Sequence, residues 1–174
     1  MDAITSIKEN FGWSHGMVEG TIEGLTSEQL HWLPAGTAHS IASTYAHMIL
    51  GEDMLLNGMI AGKPPLAATT WAGKTGVSEM PPQGSEEGPG DWAEWAKKVS
   101  VDLPALAEYA KAVYANTDAY LNSLKPEELD DQIDGFMGKT SRNMMLQITA
   151  GHGNNHIGEI SAIKGIQGLK GYPF

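Results

Sequence analysis

The chain has 174 residues and a mass of 18.6 kDa, the size of one domain. Eleven Lys and Arg stand against 21 Asp and Glu, a net charge of −10, so the clustered cations that bind nucleic-acid phosphates or an anionic membrane surface are missing. Cysteine is absent, which excludes disulfides, thiolate metal ligands and a protein-borne thiol nucleophile. The 21 glycines exceed the usual share of about 7% and sit awkwardly in a helical chain. An apolar content of 41% suffices for a core. Met1 to Trp13 show no basic stretch followed by an apolar run, and no segment has the ~18 uninterrupted apolar residues of a membrane span. The expectation is a soluble, cytoplasmic protein forming one domain over 1–174.

Helical periodicity predicts four long segments. The first covers residues 3–25, with Ile4, Ile7, Phe11, His15, Val18, Ile22 and Leu25 spaced by three or four. A connection of Thr26 to His39 follows. The second covers about 40–61, capped by Ser40, with Ile41, Tyr45, Met48, Leu55 and Met59 on one side and Thr44, His47, Gly51 and Met54 on the next. The third covers about 91–124 along Trp92, Trp95, Val99, Leu103, Leu106, Ala110, Val113, Thr117, Tyr120 and Leu124, with Pro104 marking a kink or a fresh start. The fourth covers about 141–166, capped by Ser141, with Met145, Ile148, His152, His156, Glu159 and Ile163 in line. Strand alternation is absent, so the fold class is all-α.

Residues 62–90 contain Pro64, Pro65, Pro81, Pro82 and Pro89 and are too long for a tight turn. They can run the length of a bundle, which suits a crossover between two parallel neighbours of a four-helix bundle. Gly12, Gly16, Gly20 and Gly24 recur every four residues and suggest a ridge for a close helix, in the same bundle or in a second subunit. Gly151, Gly153 and Gly158 surround the last histidines and leave room for a ligand or a neighbouring helix.

Those histidines carry the chemistry. His152 and His156 are spaced i, i+4, so both project from one face of the fourth helix, within its apolar stripe. His47, on the second helix, is placed to face them. Three converging imidazoles suit a borderline divalent cation with coordination positions left open; buried histidines that merely pack are the alternative. The run His152-Gly153-Asn154-Asn155-His156 lacks a Glu beside its first His, so the H-E-x-x-H metalloprotease pattern fails.

Two stretches resemble the DinB/YfiT-like superfamily: Leu30-His31-Trp32-Leu33-Pro34 with Ser40 to Met48, and His152 to Ile160 followed by Gly165, Gly168, Leu169 and Gly171. The resemblance implies an up-down-down-up four-helix bundle, usually a homodimer, with a divalent metal, Zn or Ni, on His47, His152 and His156. Relatives include bacillithiol- and mycothiol-dependent S-transferases, a mycothiol-dependent maleylpyruvate isomerase and proteins labelled metal-dependent hydrolases. The resemblance therefore implies a small-molecule substrate, and for the transferases a low-molecular-weight thiol as cosubstrate, which a chain without cysteine must borrow. Hydrolysis by a metal-bound hydroxide is the alternative activity, and a non-catalytic dimeric binding module with a structural metal is the rival outside enzymes.

Further candidates follow from position. His15 lies in the core stripe and is either a pocket residue, a fourth ligand or a packing residue. Glu159, one turn after His156, is an orienting group, a catalytic base or an ordinary exposed carboxylate. Asn155 and Tyr45 are pocket candidates. Arg142 is placed to grip a substrate carboxylate or to serve as a surface arginine. His31 and His39 read as structural, and Trp71, Trp92 and Trp95 as a cover for the bundle mouth.

Overall fold

The computed structural model describes residues 2–82, 90–136 and 138–174. It is mostly helical. Asp2 caps α1 (Ala3–Ile22) by accepting from the Thr5 N–H at 2.9 Å. The connection that follows contains a one-turn helix, α2 (Ser27–His31), closed by a capping box between Thr26 and Gln29. Ser40 caps α3 (Ile41–Asp53) as expected. The chain then continues as π-helical turns over Met54–Ile60 rather than as α-helix.

The expected third helix is two helices. α4 (Trp92–Lys98) ends before Val99, and α5 (Leu103–Ser123) begins anew with Asp102 as cap and Pro104 in its first turn. Pro104 therefore marks a fresh start, because its missing N–H costs nothing in the first turn. Val101, between the two helices, pairs with Val77 in an isolated antiparallel bridge that ties the long connection to this break. Residues 83–89 of that connection, with Pro89, lie outside the described residues.

Contrary to the all-helical expectation, a short hairpin precedes the last helix. β1 (Gln132–Gly135) and β2 (Gly138–Ser141) pair antiparallel, with Gln132 opposite Ser141 and Gly135 opposite Gly138. Four residues per strand, half of them exposed and none fully buried, carry too little alternation to be read from sequence. Ser141 then caps α6 (Arg142–Ile166).

The four long helices form a ring in which α1 and α3 each pack against both α5 and α6. Two buried clusters fill it. One is built on Tyr45, Ile49, Leu106, Tyr109 and Ile160, and the other on Ile7, Phe11, Leu56, Leu121, Met145 and Leu146. Burying a side chain of this size contributes roughly 1.5–3 kcal/mol, which exceeds what helix propensity supplies. No described helix is long and apolar enough to cross a membrane.

The predicted glycine ridge meets no helix of the bundle. Cβ atoms added at Gly12 and Gly16 would have nothing within 4 Å, Gly24 lies past the end of α1, and Gly20 is approached only by Pro173. Gly151 is likewise open, whereas Gly158 lies near Tyr172.

Candidate metal centre

Three imidazoles from two helices converge. His47 comes from α3, and His152 and His156 come from successive turns of α6. The Nε2 of His152 lies 3.0 Å from that of His47 and 3.1 Å from that of His156. Nitrogens about 2.1 Å from a common ion, at angles of about 90–110°, stand about 3.0–3.4 Å apart, so these spacings fit ligation of one ion. The donor set, three neutral imidazoles, suits a borderline divalent metal. No other group of three or more His, Asp or Glu side chains converges in this way among the described residues.

Burial keeps two of the rings neutral, and a carboxylate orients the third. Burial, and then the neighbouring imidazoles, push the His47 pKa down to about 3. Burial followed by His156 pushes His152 down to about 4. At neutral pH both rings are unprotonated at one nitrogen and have a lone pair to give. Glu159 sets the third ring: its Oε2 lies 2.7 Å from His156 Nδ1, which donates to it and leaves Nε2 as the free acceptor. His47 has no such support, and its Nδ1 is buried without a partner among the described residues.

A cavity of about 180 Å³ opens on this centre, lined by His47, His156, Glu159, Trp92, Trp95 and His39, with Ser43, Thr44 and Ala96 completing the wall. The edge of Trp92 packs against the His47 ring at 4.4 Å between centroids, and Trp95 packs against Trp92 at 5.4 Å. Trp95 is anchored in turn by donating its Nε1–H to Glu79 O at 3.0 Å. The space lies between the apolar walls of Trp92, Trp95 and Ala96 and the His47, His156 and Glu159 side chains.

The remaining sequence candidates sort unevenly. Tyr45 does not line this cavity: it is fully buried, and its hydroxyl donates to Glu19 Oε1 at 2.6 Å. Asn155 is exposed and also outside the lining, because it points off the face that carries His152 and His156. His15 is not a fourth member of the group, since its Nε2 sits 3.0 Å from both Glu52 oxygens. Trp71 packs on Tyr109 away from the cavity. Arg142 is pinned at the start of α6 by Asp131, Glu128 O and Tyr120, which makes it structural. His31 bonds Ser27 O and the Val101 N–H, also structurally.

His39 reads as structural in the sequence, yet it lines the cavity, and its Nδ1 is buried without a partner among the described residues. The available signal is its spacing: 39, 43 and 47 are four apart, and all three line the cavity. Gly51 is equally easy to miss. A Cβ there would stand 3.1 Å from His152 Cε1, so glycine makes room for the His152 ring.

Residues 10–160 match the family model of the DinB superfamily. The chain belongs to the DinB superfamily. A search of curated proteins finds no match. Among solved structures, this DinB-like chain is similar to a conserved protein of Enterococcus faecalis, at 22% identity and a TM-score of 0.79 over 94% of this chain and 96% of that one. It is also similar to a DinB-like protein of Bacillus cereus, at 14% identity and a TM-score of 0.61 over 95% and 93% of the two chains. At these identities the likeness establishes the DinB fold alone.

Proposed function

We propose that this DinB protein is a metal-dependent enzyme that holds one divalent ion, zinc or nickel, on His47, His152 and His156 and uses it to activate a low-molecular-weight thiol for transfer to a small-molecule substrate. The observation that carries the reading is the convergence of three Nε2 atoms beside an open cavity. A structural zinc site is closed by four protein ligands, whereas here the group has three and the fourth side is cavity. An ion bound there would lower the pKa of a coordinated thiol or water, supplying a nucleophile near neutral pH.

The chain's own residues supply the rest. Glu159 fixes the tautomer of His156. Trp92 and Trp95 wall off solvent and offer apolar faces to the substrate. His39 and Thr44 add polar groups to the same wall. With no cysteine in the sequence, the sulfur must arrive with a cosubstrate.

Metal-dependent hydrolysis is favoured by one feature, the Glu159 carboxylate, which lines the cavity and is 57% exposed, accessible as a base for water. One experiment separates these readings. Purified protein is loaded with Co(II), and its visible absorption is recorded with and without bacillithiol, mycothiol or a simple thiol. A thiolate-to-cobalt charge-transfer band that His156→Ala abolishes supports transfer. Cobalt binding without any thiol response rejects transfer in favour of hydrolysis. A wild type that binds no metal rejects both.

A further inference from the structure

A second, much smaller cavity touches His152 but neither His47 nor His156. It offers about 10 Å³ to the centre of a water molecule, which is room for one. Its polar lining includes Ser14 and His15 on α1, Glu52 on α3, and Thr149 and His152 on α6, with Tyr114 of α5 beside them. The thiol-transfer reading uses none of the first four.

These residues form a seated carboxylate. His15 Nε2 lies 3.0 Å from each Glu52 oxygen, and Thr117 donates to Glu52 Oε1 at 2.6 Å. The His15 ring lies flat on Tyr114, with centroids 3.7 Å apart and planes 19° from parallel. His15 and Glu52 are both nearly buried, at 12% and 13% side-chain exposure. A carboxylate offers about four acceptor positions. Oε1 serves two donors here, whereas Oε2 serves His15 alone among the described residues.

His152 is the complementary half. Its Nε2 is turned to the other two imidazoles, and its Nδ1 has no protein partner among the described residues. A ligating histidine needs an acceptor for its second N–H to fix its tautomer and raise its basicity. Glu159 does this for His156 directly, at 2.7 Å. For His152, the only carboxylate in the wall of the adjoining cavity is Glu52.

We infer that Glu52, seated by His15 and Thr117, positions His152 as a metal ligand through one water held in this cavity. The His152 Nδ1–H donates to the water, and the water donates to Glu52 Oε2. Glu52 is a positioning residue: it touches neither the cavity of the metal centre nor any substrate in it. The inference rests on the metal reading of the three histidines.

The test compares zinc affinity, by competition with a chromophoric chelator, in the wild type, Glu52→Gln and Glu19→Gln. Glu19 is the control, because it accepts from Tyr45 and Tyr114 in the same interior without lining the small cavity. Glu52→Gln is expected to weaken zinc binding by about 10–100-fold and to alter the Co(II) absorption spectrum. Glu19→Gln is expected to shift thermal stability and keep zinc affinity within about twofold. In the zinc-loaded wild type, nitrogen-15 NMR is expected to show His152 protonated at Nδ1, whatever the folding yield of the variants. Zinc binding by Glu52→Gln within twofold of wild type, equal losses in both variants, or an unprotonated Nδ1 each overturn the inference while leaving the metal centre standing. A wild type that binds no zinc takes down both.

Discussion

Gly51 on α3 and His152 on α6 meet so closely that a single methyl group would separate them: a Cβ at position 51 would stand 3.1 Å from the His152 Cε1. The contact explains a glycine in the interior of a helix, where it costs roughly 1 kcal/mol against alanine. Gly51→Ala sets two effects against each other. The helix gains propensity, and the His152 ring must move by a few tenths of an ångström, away from the point where three nitrogens converge. The expected outcome is a melting temperature at or above that of wild type together with zinc affinity reduced by about tenfold or more. Affinity equal to that of wild type shows that the ring has slack and that the glycine serves packing alone.

The apoprotein should lose stability in mild acid. His47 and His152 are held down to about 3 and about 4, chiefly by burial, whereas in the unfolded chain both titrate near the ordinary value of about 6.5. Below that value the unfolded chain takes up protons that the folded chain refuses. The stabilisation is therefore complete above about pH 6.5 and declines as pH falls toward 4. Each tenfold difference in proton affinity between the two states is worth about 1.4 kcal/mol per imidazole, so after discounting for partial exposure and mutual coupling the pair should cost about 2 kcal/mol between pH 7 and 5.5. Urea unfolding of chelator-treated protein at the two pH values measures this. The double variant His47→Gln, His152→Gln should lose most of the difference, and an equal pH dependence in both proteins rules these rings out as its source.

The convergence of the three histidines was legible because its cues are local and compounding. His152 and His156 advertise a shared face by their spacing of four, and His47 lies in a second helix whose apolar pattern fixes the face it turns inward. The helix ends at Ser40 and Ser141 were legible for a similar reason, since a capping hydroxyl acts on the N–H three residues on. What sequence hid was what depends on contacts between distant segments. Glu52 and Asp53 carry no local cue to their roles, yet one is seated by His15 and Thr117 and the other is fully buried. His39 sits in a connection just before the Ser40 cap, and it is the course of the chain into α3 that turns it toward the cavity. Pro104 marks the fresh start of α5, but the pairing of Val101 with Val77 that ties the long connection to this break is a contact that no helical periodicity carries.

Asp53 anchors the start of the long connection. Its carboxylate accepts from the Tyr109 hydroxyl at 2.6 Å, the Asn57 amide at 2.7 Å and the backbone N–H groups of Leu66 and Ala67 at 2.9 Å each. Four donors converge on two oxygens in a fully buried position. Asp53→Asn keeps the shape but turns an NH2 toward donors, leaving buried groups unsatisfied at about 1–3 kcal/mol each. The expected result is a loss of about 2–4 kcal/mol in urea unfolding, with a metal content per folded chain equal to that of wild type. A loss under about 0.5 kcal/mol contradicts the anchoring role, and lost metal in a stable variant shows that the connection shapes the metal centre as well.

Trp92 offers an intrinsic reporter of the centre. Its indole ring stands nearly perpendicular to the His47 ring, 4.4 Å away between centroids, and it lines the cavity beside His47. An open-shell divalent ion quenches indole emission by short-range electron and energy transfer, so the nearest tryptophan dominates the response. Trp95 lies one ring further out, whereas Trp71 packs on Tyr109 and Trp13 is 60% exposed on α1. Titrating wild type with Ni(II) should quench emission to a plateau at one equivalent per chain. Trp92→Phe should bind the same equivalent of nickel yet lose more than half of the quenching amplitude, and Trp71→Phe should keep it. Equal quenching in the wild type and Trp92→Phe would place the bound ion elsewhere in the chain, and the three histidines would then need another purpose.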